Sequence, residues 1–191
     1  MLHDDRRARR PLGRRDDGGL CPRAGSTRVH RPATYWAPAR RRLVAPARRA
    51  PAPGFAVTLD RDFDLTTAAC ARPAPGRRPN TPLAPALIEA FARLHDEGVA
   101  PAFEVRARER LVAGGFGVAL GGVFVLEATF AYAPDALDAG VCALEDALAA
   151  FGFSAIDVTA VDFAWPSATL VERDAYTRLL VDNCAGLRPG R

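Results

Sequence analysis

The sequence predicts an α+β domain, a mostly antiparallel sheet flanked by helices. Three observations carry this. APALIEAFARLHDEG (84–98) and DALDAGVCALEDALAAFG (135–152) repeat apolar residues at helical spacing. Between them, residues 102–131 are short apolar segments punctuated by glycine. The resulting order, β-α-α-β-β-β-α-β-α, sets three strands in succession. The 191 residues suffice for one domain plus loose ends, and a hydrophobic content of 49% suffices for a core.

Taken in order, residues 1–34 are rich in Arg, Asp and Gly with few apolar residues, and are expected to be disordered. Residues 35–53 read as an extended arm carrying the aromatic pair Tyr35-Trp36. The folded domain is expected over 54–182. FAVTLD (55–60) is a strand, and Asp62 is placed as the N-cap of a helix running to Ala71. RPAPGRRPNTP (72–82) is a loop. In the next helix Leu87, Phe91 and Leu94 share a face and Gly98 stops it. AFEVR (102–106) is a strand, followed by a hairpin over 110–131 that turns at Gly121-Gly122. Leu137, Val141, Leu144 and Leu148 line the buried side of the following helix. SAIDVTAV (154–161) is a further strand, short helical pieces follow at 166–171 and 173–182, and 183–191 is a flexible tail.

Charge is uneven. Residues 1–50 hold 14 arginines against 4 aspartates, a net of +10, and the remainder nets −6. All 26 basic residues are Arg. Arg forks around phosphates and stacks on bases, so the basic N-terminal third is either a nucleic-acid contact or a solvated arm. The cluster Arg40-Arg41-Arg42 is the sharpest part of it. Cys21, Cys70, Cys142 and Cys184 form no CxxC pair, so neither a zinc knuckle nor a disulfide scaffold is expected, and the thiols fit a reducing cytoplasm. No secretory signal is visible. The most apolar window, 111–126, has 16 residues including five glycines, too few for a membrane span, which needs roughly 20.

His3, His30 and His95 offer no metal spacing, and no metal site is expected. There is no GxSxG, no phosphate-binding loop and no dinucleotide fingerprint. What stands out is a pair of carboxylates inside apolar strands. Strand alternation places Val123, Val125, Glu127 and Thr129 on one face, and Phe124, Leu126, Ala128 and Phe130 on the other. On the later strand Asp157 shares a face with Ala155 and Thr159. A buried carboxylate is costly unless paired or hydrogen-bonded, so Glu127 and Asp157 are either one shared site or two unrelated structural acids.

LVAGGFGVALGGVFVLEATFAYAPDA (111–136) resembles the leucyl/phenylalanyl-tRNA-protein transferase family, whose pattern there is LVGGLYGVALGxVFFGESMFSxxPDA. The resemblance continues in YWAPARRRLVAP (35–46), VTLDRDFDLTTAACARP (57–73), LHDEG (94–98) and AIDVTAVDFAWPSATLVE (155–172). It implies an acyl-CoA N-acyltransferase (GNAT) type fold. It also implies an activity: transfer of Leu, Phe or Met from aminoacyl-tRNA to the N-terminal amine of proteins beginning with Arg or Lys. No cofactor is implied, and no QxxGxG-type coenzyme A loop precedes the helix at 135. Asp157 matches the proposed catalytic Asp, expected to hold the attacking amine. Glu127 matches the Glu of GESMFS in the same pocket. Trp36 matches an aromatic stacking near the terminal adenosine, with Tyr35, Phe116, Phe130 and Thr159 as further substrate contacts. Arg40, Arg41, Arg42 and Arg106 are the expected tRNA contacts. A monomer without membrane attachment is implied.

The departures fall near these positions. Thr159 stands where the family has Gln, Ala164 where it has His, and Arg106 where a strand ends in an aromatic residue. Ala-Thr-Phe-Ala (128–131) replaces Ser-Met-Phe-Ser, Leu137-Asp138 replaces Ser-Lys, and Pro82 lies near a lost Trp. A small-molecule amine as acceptor, a non-catalytic RNA-binding relative and an acyl-CoA transferase are the alternatives these changes leave open.

Overall fold

A computed structural model describes residues 38–50, 52–72 and 83–184, all within one unit spanning 37–191. Tyr35, Trp36, the N-terminal segment and most of the loop at 72–82 lie outside the described residues.

The described elements, in chain order, are β1 (Arg40–Val44), β2 (Ala56–Leu59), α1 (Phe63–Cys70), α2 (Pro85–Asp96), β3 (Ala102–Ala107), β4 (Arg110–Leu120), β5 (Val123–Ala131), α3 (Ala136–Ala150), β6 (Ala155–Asp157), β7 (Thr169–Glu172) and α4 (Arg173–Cys184). The seven strands form one mixed sheet in the order β2-β3-β4-β5-β6-β1-β7. Every pairing is antiparallel except β5 with β6, the pair that α3 connects.

The helices with clear apolar spacing form where expected. Pro85 opens α2, where its missing N–H costs nothing. Gly98 (φ +73°) stops it, in the left-handed region open to glycine. Gly140 lets α3 lie close on the sheet, since a Cβ there would come within 2.6 Å of the Phe103 ring. Phe103, Phe124, Leu126 and Ile156 are fully buried beneath α3 with Val141 and Leu144. Each such side chain stabilises the fold by about 1.5–3 kcal/mol. The opposite face carries α1 and α2 over Ala102, Phe116 and Phe130, and α4 over Leu43, Val123 and Ala155.

Four expectations change. Residues 40–44, read as part of an arm outside the domain, form the interior strand β1, so the sheet begins before residue 54. Residues 166–171 read as helical in the sequence, but 169–172 are edge strand β7, because main-chain pairing of Arg40 with Glu172 through Leu43 with Thr169 fixes them. The strand expected to reach 161 ends at Asp157, because the Asp157 carboxylate takes the Thr159 N–H (2.9 Å) and turns the chain. Asp62 does precede α1, but its side chain does not cap the helix. It pairs with Arg106, while its own N–H donates to the buried Glu104 (3.0 Å).

A β-bulge corrects the expected face assignment on β5. Phe116 pairs with Ala128 but Gly117 pairs with Leu126, so Glu127 is the extra residue. Phe124 and Leu126 accordingly pack under α3, whereas Ala128 and Phe130 pack on the α1–α2 side. Simple alternation put all four together; the bulge separates them at Glu127.

Candidate active site

The site lies on the face that α4 covers, and four elements build it. Along β1, Leu43 packs toward α4 and Val44 toward α3. Alternation therefore sends Arg41 toward α4, where its guanidinium sits 5.0 Å from the centre of the Tyr176 ring. β6 brings Asp157 beside β1, in register with Leu43 on one side and Val125 of β5 on the other. Tyr176 enters from α4, whose other apolar contacts, Leu179 and Leu180, follow it at helical spacing.

Asp157 is 1% exposed and fully engaged. Arg41 Nη1 donates to its Oδ2 (3.1 Å), and the Thr159 N–H (2.9 Å) and hydroxyl donate to its Oδ1. Burial, then the neighbouring charge of Asp157, push the Tyr176 phenol well above its ordinary range, so it stays protonated. Thr159 is fixed in turn, because its Oγ1 accepts the Arg42 N–H at 2.8 Å. A buried carboxylate with three donors, one of them charged, is stable in place.

Glu127 differs. Its side chain is partly buried, and no protein donor holds it among the described contacts. Burial and the neighbouring charge of Asp157 raise its proton affinity, while Arg41 lowers it. One carboxylate is thus held in an ion pair and the other is raised in proton affinity, so the two acids sit in unequal environments.

The remaining predicted residues divide. Thr159 is part of the cluster. Arg42 lies on the opposite side of β1 from Arg41, with Nη2 on the Phe163 carbonyl (3.2 Å). Arg40 is exposed, 4.0 Å from Glu172. Arg106 is 11% exposed and held by Asp62 and the Thr58 hydroxyl, on the far side of the sheet order from β1. Its guanidinium closes a β2–β3 network around Glu104 instead of facing solvent. Phe116 is fully buried between Phe63 and Phe91, and Phe130 packs on Tyr132. Both belong to the core that supports the β5 bulge. Tyr35 and Trp36 lie outside the described residues. Tyr176 was not anticipated, although its spacing with Leu179 and Leu180 marks it as the buried stripe of α4.

These elements define an α+β domain whose mixed sheet presents an anchored ion pair next to a carboxylate of raised proton affinity. A family profile described as leucyl/phenylalanyl-tRNA protein transferase matches residues 40–181. The chain belongs to that family. Curated leucyl/phenylalanyl-tRNA–protein transferases align with it at similar levels. That of Shewanella halifaxensis is 34% identical over 125 residues, 64% of this chain and 52% of the relative. That of Chromohalobacter salexigens is 36% identical over 135 residues, 66% and 52%. That of Rhizorhabdus wittichii is 38% identical over 128 residues, 66% and 51%. The chain spans about half the length of the curated relatives it matches. No described helix is long and apolar enough to cross a membrane.

Proposed function

We propose that this chain is a cytoplasmic aminoacyltransferase that moves a hydrophobic amino acid (Leu, Phe or Met) from aminoacyl-tRNA to the N-terminal amine of a protein beginning with Arg or Lys. The match of residues 40–181 to the transferase family carries the reading, and it includes every described member of the ionic cluster. We assign the GNAT-type architecture on the same basis; the single parallel pair β5–β6 within an otherwise antiparallel sheet supports it.

The aminoacyl ester is already activated, so the domain mainly positions an amine against its carbonyl carbon. The N-terminal ammonium releases one proton to solvent before it attacks, and its nitrogen gives up a second as the amide forms. Glu127, half-buried and raised in proton affinity, is the acceptor that suits this. Asp157 takes a different part from the one its motif suggests. Arg41 occupies one of its oxygens and the Thr159 amide and hydroxyl the other, so it anchors Arg41. In the balanced step the C–N bond forms and the ester C–O bond breaks. The electron pair goes to the ribose oxygen, which leaves as a hydroxyl with the proton Glu127 carried. Arg40, exposed at the start of β1, and the arginine-rich residues 1–34 supply charge for the tRNA backbone without reading its sequence.

The test charges bulk tRNA separately with radiolabelled Leu, Phe and Met and offers the purified full chain a peptide beginning with Arg. Label transferred to the peptide is the expected result. Intact, unreacted aminoacyl-tRNA in all three reactions would overturn the proposal.

A further inference from the structure

We propose that Tyr176 is a positioning residue that holds the Arg41–Asp157 ion pair in place beside Glu127 and so sets the condition in which Glu127 exchanges its proton. This rests on the reading of Glu127 as proton acceptor.

The geometry is specific to one side chain. Tyr176 is the buried residue of α4, and its ring carries one member of the pair. Its ring face takes the Arg41 guanidinium at 5.0 Å, a cation–π contact. The same guanidinium binds the Asp157 carboxylate, whose charge acts on the Tyr176 phenol. Arg41 is a quarter exposed and would otherwise be free to swing toward solvent. Asp157 cannot move, because Thr159 grips its other oxygen from two sites. The position of Arg41 between the two carboxylates therefore depends on the surface beneath it, which is the Tyr176 ring.

α4 is held so that this surface stays put. Leu179 and Leu180 pack against the sheet after Tyr176. At the far end Asn183 meets the β4–β5 turn, where a Cβ on Gly122 would lie 2.3 Å from its Oδ1. The Ser154 hydroxyl donates to that same Oδ1 (3.0 Å). The helix is thus tied to the hairpin that carries Glu127 at its bulge.

The groups that act on Glu127 are Asp157 from β6 and Arg41 from β1, with Tyr176 from α4 coupled to all three. Removing only the hydroxyl takes a polar group from the surroundings of the Asp157 charge, which then presses harder on Glu127 and raises its midpoint. Removing the ring as well frees Arg41, which takes away the one charge that lowers it.

The experiment compares Tyr176→Phe and Tyr176→Leu in the full chain. The Glu127 carboxyl is followed by carbon-13 NMR titration, with its signal assigned by its loss in Glu127→Gln. Transfer to the Arg-initiated peptide is measured across pH. Tyr176→Phe should move the Glu127 midpoint and the acid limb of the rate upward together, with kcat about tenfold lower and KM within about twofold. Tyr176→Leu should move both further. A folded Tyr176→Phe whose Glu127 midpoint is unchanged would overturn the positioning role, whatever Tyr176→Leu does. A midpoint that moves without the rate profile following keeps that role and overturns Glu127 as the acceptor.

Discussion

Removing Arg41 is the most informative perturbation of stability. Arg41→Met keeps much of the stem that packs over Tyr176 and deletes the charge. Asp157 then stays 1% exposed without its cation. Breaking a buried ion pair from one side costs about 3–5 kcal/mol. Two features place this case at the lower end. Arg41 is itself a quarter exposed, so water already screens part of the attraction. Asp157 also keeps two donors, the Thr159 amide and the Thr159 hydroxyl. A loss of about 3 kcal/mol is expected, or a fall in Tm of roughly 6–12 °C for a chain of this size. Urea unfolding of the parent, Arg41→Met, Asp157→Asn and the double variant gives the coupling directly. The double variant should be less destabilised than the sum of the singles by about 2 kcal/mol, since neutralising Asp157 removes the stranded charge. An Arg41→Met loss below about 1 kcal/mol, or strict additivity, would show that the pair is not the anchor described above.

Three further outcomes follow from particular residues. Glu127 binds its proton more tightly folded than unfolded, so it favours folding most below the ordinary glutamate range and progressively less as pH rises toward its raised midpoint. Glu127→Gln should therefore match the parent in urea near about pH 4 and exceed it near about pH 7; equal pH dependence in the two proteins would contradict the raised affinity. Gly140→Ala drives a methyl into the Phe103 ring and the Val105 side chain, at 2.6 and 2.7 Å, and should cost about 1–3 kcal/mol in thermal unfolding. Burial pushes the Cys70 thiol up to about 12, whereas Cys184 is exposed, so mass spectrometry after brief iodoacetamide treatment near neutral pH should find Cys184 alkylated and Cys70 intact.

Periodicity made α2, α3 and the β4–β5 hairpin legible, because their patterns are long and their packing is the one the pattern implies. β1 was hidden for the opposite reason. Arg40, Arg41 and Arg42 carry no apolar alternation, and what makes them a strand is pairing with β6 and β7 more than a hundred positions later. β7 depends on the same contact. On β5 the rule of alternation holds up to Leu126 and then fails, since a bulge is set by the register of a partner strand and leaves no local mark. The acids show how far composition reaches. Glu127 and Asp157 stood out as carboxylates in apolar strands, yet Glu104 in AFEVR gives the same signal and serves the β2–α1 loop. Glu145 on α3 likewise receives Arg49 (2.8 Å) and the Trp165 indole (2.7 Å). Which buried acid exchanges protons is decided by its donors, and those come from distant segments.

The placement of β1 also bears on how the chain is made. A strand near residue 40 fills the slot between two strands that follow residue 154, so its contacts close loops of more than a hundred residues. Such closure is slow relative to local helix and hairpin formation. During synthesis β3 and β4 have both their strand neighbours before β6 emerges, β5 has one of its two, and β1 waits unpaired. The Arg41–Asp157 contact, and with it the arrangement beside Glu127, is among the last to assemble. A nascent or prematurely ended chain would therefore fold in part yet be unable to perform the chemistry proposed above, and would present an arginine-rich open strand as the mark of its incompleteness.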